Sequence, residues 1–392
     1  MRRGAMLVGG LVFTLLLAAL PGWVTGQPGK AILEKHCGGC HPLERAVSKE
    51  QSAEAWAATI ERMRNFGSDI SRRQARELAQ YLAQAATRPK APVAYVVNED
   101  IHEIWAIEMT TRRIVAKIGV GQHPHGIALS PDGRFAYVPN MASNNVSIID
   151  TERNVVIGTL EAGKNAHDAA VTPDGKYTLV TNPSDGTVSV FETAVHPGSQ
   201  HVHHVLGTIT VGRTPHIVEV SPDGRTAWVT NMDSGDLSIL DIAGRREIAR
   251  VPLGKGPHAI AVSPDGKRLW VGLYDEGQVV VIGVESRQIM TRAPVGRNPY
   301  AIAFAPDGKA AWVSNEGSDS LSVLDAGSGA VIAEVTGIRE PHGLAFAPDG
   351  RALWVISRAA DAVVIVDVAG RKVLETVPVG KRPHVIAVKR PR

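Results

Sequence analysis

The tripeptide Pro-Asp-Gly starts at residues 131, 173, 222, 264, 306 and 348, in steps of 42, 49, 42, 42 and 42. A period near 40 residues means stacked copies of one supersecondary unit, and it overrides any local reading of the chain. Each copy has the same plan, as in "HPHGIALSPDGRFAYVPNMASNNVSIIDTERNVVIGTLEAG". An apolar strand runs into the Pro-Asp-Gly turn, and an aromatic strand follows. A polar turn, an alternating strand ("VSIID") and a fourth strand ("VVIGTL") complete the copy. Four short antiparallel strands per repeat describe one blade of a β-propeller.

The chain ends supply the blade count. Residues 94–121 give three strands and lack a first one, while "RPHVIAVKRPR" at 382–392 gives a first strand and nothing more. The C-terminus therefore completes the N-terminal blade, which predicts a closed ring of seven blades over 94–392. Closure hides the strand edges that would otherwise pair with other chains. The second strands end in "YVVN", "YVPN", "LVTN", "WVTN" and "WVSN". In these tetrapeptides the repeat resembles the YVTN family of propellers.

A second periodic position falls at the start of each first strand. His125, His167, His216, His258, His342 and His384 occupy it, and Tyr300 fills the seventh copy. Seven equivalent positions must surround the propeller axis near one mouth of the channel. Imidazoles there suit a metal or a second cofactor. They better suit hydrogen bonds that tie each blade to its neighbour's backbone, although repetition alone does not separate the two. The step of 49 contains an insertion with His196, His201, His203 and His204, best read as a solvated loop.

The front of the chain is different. Arg2 and Arg3 precede the apolar run Met6–Leu20 and a small-residue stretch, Val24-Thr25-Gly26. This is the layout of a secretory signal over 1–26, with an uncleaved N-terminal anchor as the alternative. The run is shorter than the roughly 20 residues a membrane span needs, and no later segment is apolar enough to cross a bilayer. The expected location is periplasmic or otherwise exported. With 42 Lys+Arg against 39 Asp+Glu, the chain lacks the charge excess of a nucleic-acid binder.

The only cysteines, Cys37 and Cys40, are followed directly by His41 in "KHCGGCHPL". A disulfide would close a very small loop, and a structural zinc site wants four protein ligands where only one Cys pair exists. A thioredoxin-type site wants a βαβ context, and these flanks read as helical. The remaining reading is Cys-x-x-Cys-His, the attachment signature of one covalent c-type haem, with His41 on the iron.

Met63 is the one methionine between His41 and Pro89, a stretch with no other histidine. It shares a helical face with Trp56 and Ile60. That face would pack on the porphyrin, with Met63 as the second axial ligand and a higher potential suited to electron transfer. Ser71 and Gln74 form a capping box for a further helix, in which Leu78 and Leu82 share a face. Three helices over 27–88 predict an all-α unit, joined by a linker at 89–93. With Trp56, Met63 and a terminal Tyr-Leu helix, the segment resembles compact class-I-like cytochrome c domains.

A small cytochrome c ahead of a propeller resembles the layout of cytochrome cd1 nitrite reductases and their haem d1-handling relatives. In that family the propeller has eight blades, whereas seven are expected here, and no single histidine of the ring can be assigned its d1 ligand. The resemblance implies an exported haem protein that transfers electrons with a periplasmic redox partner. Its propeller would be a docking or binding module. An oxidoreductase with haem d1 or a metal at the propeller mouth is the alternative. A recognition propeller with an accessory haem is the third. "GTLEAGKN" at 158–165 imitates a P-loop, but Asn165 replaces the required hydroxyl residue and strands flank it.

Overall fold

The computed structural model describes residues 28–37, 52–65, 68–87, 91–193 and 204–391. The chain divides into two compact units, 1–89 and 90–392. Among the described residues no helix is long and apolar enough to cross a membrane.

In the first unit three helices are described: α1 (Pro28–Cys37), α2 (Ala53–Asn65) and α3 (Arg72–Thr87). α3 starts as the sequence predicts. Gln74 N donates to Ser71 Oγ at 3.3 Å, and Ser71 N donates to Gln74 Oε1 at 3.0 Å. Both bonds satisfy amides that the first turn leaves open. The helices share one small apolar cluster. Ile32 and Leu33 come from α1, Trp56 and Ile60 from α2, Leu78, Ala79 and Leu82 from α3, with Ile70 between.

The second unit is mainly β: seven four-stranded antiparallel sheets. The ring closes as the sequence predicts. β28 (Pro383–Lys389) pairs with β1 (Val93–Asn98), followed by β2 (Glu103–Glu108) and β3 (Ile114–Gly119). The other blades follow in chain order at 128–161, 169–210, 215–252, 257–294, 299–336 and 341–378. The architecture has seven blades, not the eight of the cytochrome cd1 layout.

Three features of the repeat explain why these residues make blades. The Pro-Asp-Gly turn is closed by its aspartate: Asp132 Oδ1 accepts from Ser130 Oγ at 2.6 Å and from Arg134 N at 3.0 Å. Gly133 takes φ +63° there, which costs glycine nothing. The third residue of each second strand fills the space between blades. Tyr95, Tyr137, Leu179, Trp228, Trp270, Trp312 and Trp354 are all fully buried there. In five blades that strand ends in a buried asparagine, with Leu273 and Ser357 ending the other two, and Asn231 shows how it clamps the third strand. Asn231 Nδ2 donates to Ser238 Oγ at 2.8 Å and to Asp236 Oδ1 at 2.7 Å.

The hydroxyl before that asparagine reaches the next blade. Thr181, Thr230 and Ser314 donate to the carbonyls of His216, His258 and His342 at 2.8, 2.9 and 2.7 Å. Each fourth strand carries a register shift against the third. Such bulges twist an outer edge away from pairing with other chains.

Candidate functional site

The seven periodic slots form one closed ring of side chains. Successive ring centroids lie at 3.7 Å (His125–His167), 3.9 Å (His167–His216) and 4.0 Å (His216–His258). The circle continues at 4.3 Å (His258–Tyr300), 3.8 Å (Tyr300–His342), 4.9 Å (His342–His384) and 3.7 Å (His384–His125). The backbone is brought there by the first strand of each blade, whose opening residues precede the regular ladder.

Burial holds the imidazoles neutral. It pushes His167 down to about 4 and His258 down to about 3, with neighbouring histidines adding to the effect on His258. His125, His216 and His384 are lowered in the same way, first by burial and then by neighbouring histidines, His167 for the first two and His342 for the third. Charged imidazolium groups at these spacings would repel one another strongly. The expectation that every slot bonds a neighbouring blade's backbone holds at two of the seven. His167 Nδ1 meets His216 O at 3.2 Å, and His258 Nδ1 meets Tyr300 O at 3.0 Å. Elsewhere ring-to-ring packing replaces the backbone bond, and the Nδ1 atoms of His216, His342 and His384 are buried without a hydrogen-bond partner. Among the described residues, no three His, Cys, Asp or Glu side chains are arranged to hold a metal ion.

A collar lies at the end of the second strands, one residue past each clamp position: Glu99, Met141, Pro183, Met232, Tyr274, Glu316 and Arg358. It divides into two arcs. Met141, Pro183 and Met232, in consecutive blades, are apolar and partly exposed. The other four, also consecutive, form one polar network. Tyr274 Oη donates to Glu316 Oε2 at 2.7 Å, and Arg358 lies between Glu99 (3.4 Å) and Glu316 (3.9 Å). The network touches the ring, since His342 Nε2 is 3.2 Å from Glu316 Oε1 and Tyr274 stacks on His258 at 5.5 Å. Desolvation alone would raise the Glu316 carboxyl. His342, Tyr274 and Arg358 overcome it and hold the group at about 2. The collar was readable in the repeat once aligned, but no single motif marks it.

A third departure lies in the first strand of the blade at 215–252. Three residues past the slot, six blades carry alanine (128, 170, 261, 303, 345 and 387), and one carries Glu219. Its carboxyl is pushed up to about 7, by desolvation first and by Asp168 second. Asp168, one residue past its own slot, is likewise pushed up to about 7 by burial, while Val218 N donates to its Oδ2 at 3.1 Å.

The folded state therefore holds the Glu219 proton more tightly than the unfolded chain does. Stability from this group falls as pH rises from about 4.5 to about 7. Glu219→Ala should raise stability by on the order of 1–3 kcal/mol at pH 8, and the gain should vanish near pH 4. Denaturant unfolding of both proteins at the two pH values reads this directly. A pH-independent difference would show that the carboxyl carries no such cost.

In the helical unit, Trp56 and Ile60 are buried in the common cluster, and Met63, on the same helical face, is 42% exposed. Trp56 Nε1 and His36 Nε2 are buried without partners, and His36 Nδ1 meets Asp69 Oδ1 at 2.5 Å. Cys37 is the last residue of α1. Its side chain, together with Cys40, His41, the signal segment 1–26 and residues 194–203 of the insertion, lies outside the described residues. His204 opens the fourth strand of its blade and is exposed.

A family model described as YNCE-like beta-propeller matches residues 74–390. No curated relative matches the chain. Among solved structures, a chain of Kuenenia stuttgartiensis hydrazine synthase is similar at 20% identity and TM-score 0.63, over 72% of this chain and 97% of that one. A functionally unknown protein from Desulfotomaculum acetoxidans DSM 771 is similar at 16% identity and TM-score 0.67, over 76% and 99%. The dihydro-heme d1 dehydrogenase NirN, solved in complex with DHE, is similar at 17% identity and TM-score 0.57, over 92% and 98%.

Proposed function

Because the chain belongs to the YNCE-like beta-propeller family, we infer that the propeller is a scaffold and that the Cys37-x-x-Cys40-His41 motif supplies the chemistry. The protein is an exported c-type haem protein that transfers electrons to or from a redox partner. The observation that carries this reading is the motif itself, in the one place where a haem could complete a small helical core. The residues around it fit the group. α1, which contributes Ile32 and Leu33 to the cluster, ends on Cys37, the first residue of the motif. Met63 projects from the buried Trp56 and Ile60 face with its side chain uncovered, and Trp56 Nε1 is a buried donor awaiting an acceptor.

Cys37 and Cys40 would hold the porphyrin through thioether bonds, with His41 and Met63 on its iron. Bound there, the haem supplies reversible one-electron chemistry. The polypeptide's part is to fix both axial groups and exclude water. Met63→Ala should lower the reduction potential by on the order of 0.1 V, since axial ligation tunes haem potentials over about 0.8 V. It should also open the iron to added ligands. Potentiometry and imidazole titration test this, and an unchanged potential with no ligand uptake removes Met63 from the coordination sphere.

The collar favours a second reading, in which the propeller mouth holds a further cofactor and the protein is an oxidoreductase. An apolar arc facing a polar arc with one arginine suits a flat, partly anionic ligand such as haem d1. The likeness to NirN supports this reading, because its 92% coverage is more than the propeller unit alone could supply. Extra absorption bands in holoprotein, lost in Arg358→Ala, would separate this reading from a simple relay.

A further inference from the structure

Seven-fold repetition makes departures legible, and Tyr300 is the one phenol among six imidazoles in the ring. Its hydroxyl lies 2.8 Å from His384 Nε2. The contact reaches past His342, whose ring stacks on Tyr300 at 3.8 Å and 24°. Both partners are buried, Tyr300 at 8% and His384 at 3% exposure. A phenol in such a place costs free energy unless its O–H is bonded. Among the described residues this is its only hydrogen bond, so the O–H donates to Nε2 and His384 carries its own proton on Nδ1.

The pair rests neutral. Burial raises the phenol's pKa well above 10, with Glu316 adding to it. Burial, then His342, His167 and Arg358, lower that of His384 well below 6.5. A phenol that loses an electron becomes a strong acid and must shed its proton at once. In this pocket the only hydrogen-bonded acceptor is His384 Nε2. The groups facing the pair are His125, His258, His342, Tyr274, Glu99, Glu316 and Arg358. Glu316, held ionised in the collar, lies 3.2 Å from His342, the ring neighbour of both partners, while Arg358 disfavours positive charge on His384.

We propose that Tyr300 and His384 form a proton-coupled redox pair at the propeller mouth. Tyr300 gives one electron to a one-electron oxidant of the high-valent or metal(III) class, which is reduced by one electron. The phenolic O–H bond breaks and an N–H bond forms on His384 Nε2. A neutral tyrosyl radical and an imidazolium remain, and reduction reverses both transfers. This chemistry belongs to the propeller and does not require the haem.

The test is flash oxidation of the full-length protein with tris(bipyridine)ruthenium(III), generated by light and an electron-accepting quencher, followed by electron paramagnetic resonance. Wild type should give a tyrosyl signal. Tyr300→Phe should lose it. His384→Gln keeps a hydrogen-bond acceptor but no base, and should lose it as well. A signal equal in wild type and Tyr300→Phe would place the radical on another tyrosine and overturn the proposal. A signal unaffected by His384→Gln would overturn the proton's destination. If Tyr300→Phe does not fold, Tyr300→His, which restores the residue of the other six slots, carries the same expectation.

Discussion

Deleting residues 383–392 should abolish the folded propeller. Among the described residues, β28 is the only segment that pairs with the inner side of β1, through Val93↔Lys389, Ala94↔Val388, Tyr95↔Ala387 and Val96↔Ile386. It buries Pro383, His384 and Ile386 and supplies one member of the ring. A fully buried aliphatic side chain contributes about 1.5–3 kcal/mol, and a lost strand ladder adds to that. The total is of the same order as the roughly 5–15 kcal/mol that holds a domain together. Removal also leaves β1 as a bare edge, which invites pairing with other chains. Urea unfolding and size-exclusion chromatography check this. The expected product lacks a cooperative transition and elutes as aggregate, while a monomer with an unchanged midpoint would refute the closure.

Replacing Cys37 and Cys40 together by serine should remove covalent haem completely and leave the propeller intact. The two effects separate because the units have separate cores. The helical cluster of Ile32, Leu33, Trp56, Ile60, Leu78 and Leu82 contains no propeller residue. The variant, made with a c-type maturation system, should show no haem stain on a denaturing gel and an unchanged β-sheet spectrum. Retained covalent haem would mean that another residue holds it, and loss of the β spectrum would tie propeller folding to the haem.

Much of the propeller was legible because its signals are local. Pro-Asp-Gly encodes a turn whose aspartate and glycine do their work within five residues, as at Ser130–Arg134. Ring closure followed from counting strands at 94–121 and 382–392. The slot histidines were legible as a ring, but their bonding was not. Whether His342 meets a carbonyl or stacks on Tyr300 depends on blade tilt, which no sequence period records. The collar and Glu219 were visible only as departures from an aligned repeat. Their meaning needed the contacts Tyr274–Glu316–Arg358 and the nearness of Asp168. Trp56 and Ile60 are buried in the helical cluster. Met63 shares their helical phase yet lies open, because periodicity reports the face a residue is on and not what covers it.

The central claim is that one haem is joined to the chain through Cys37 and Cys40. Intact-mass spectrometry of wild-type protein produced with a c-type maturation system tests it most directly. The predicted result is the mass of the mature polypeptide plus one haem, retained after denaturation in acid. Recovery of the bare polypeptide mass from such cells would contradict it.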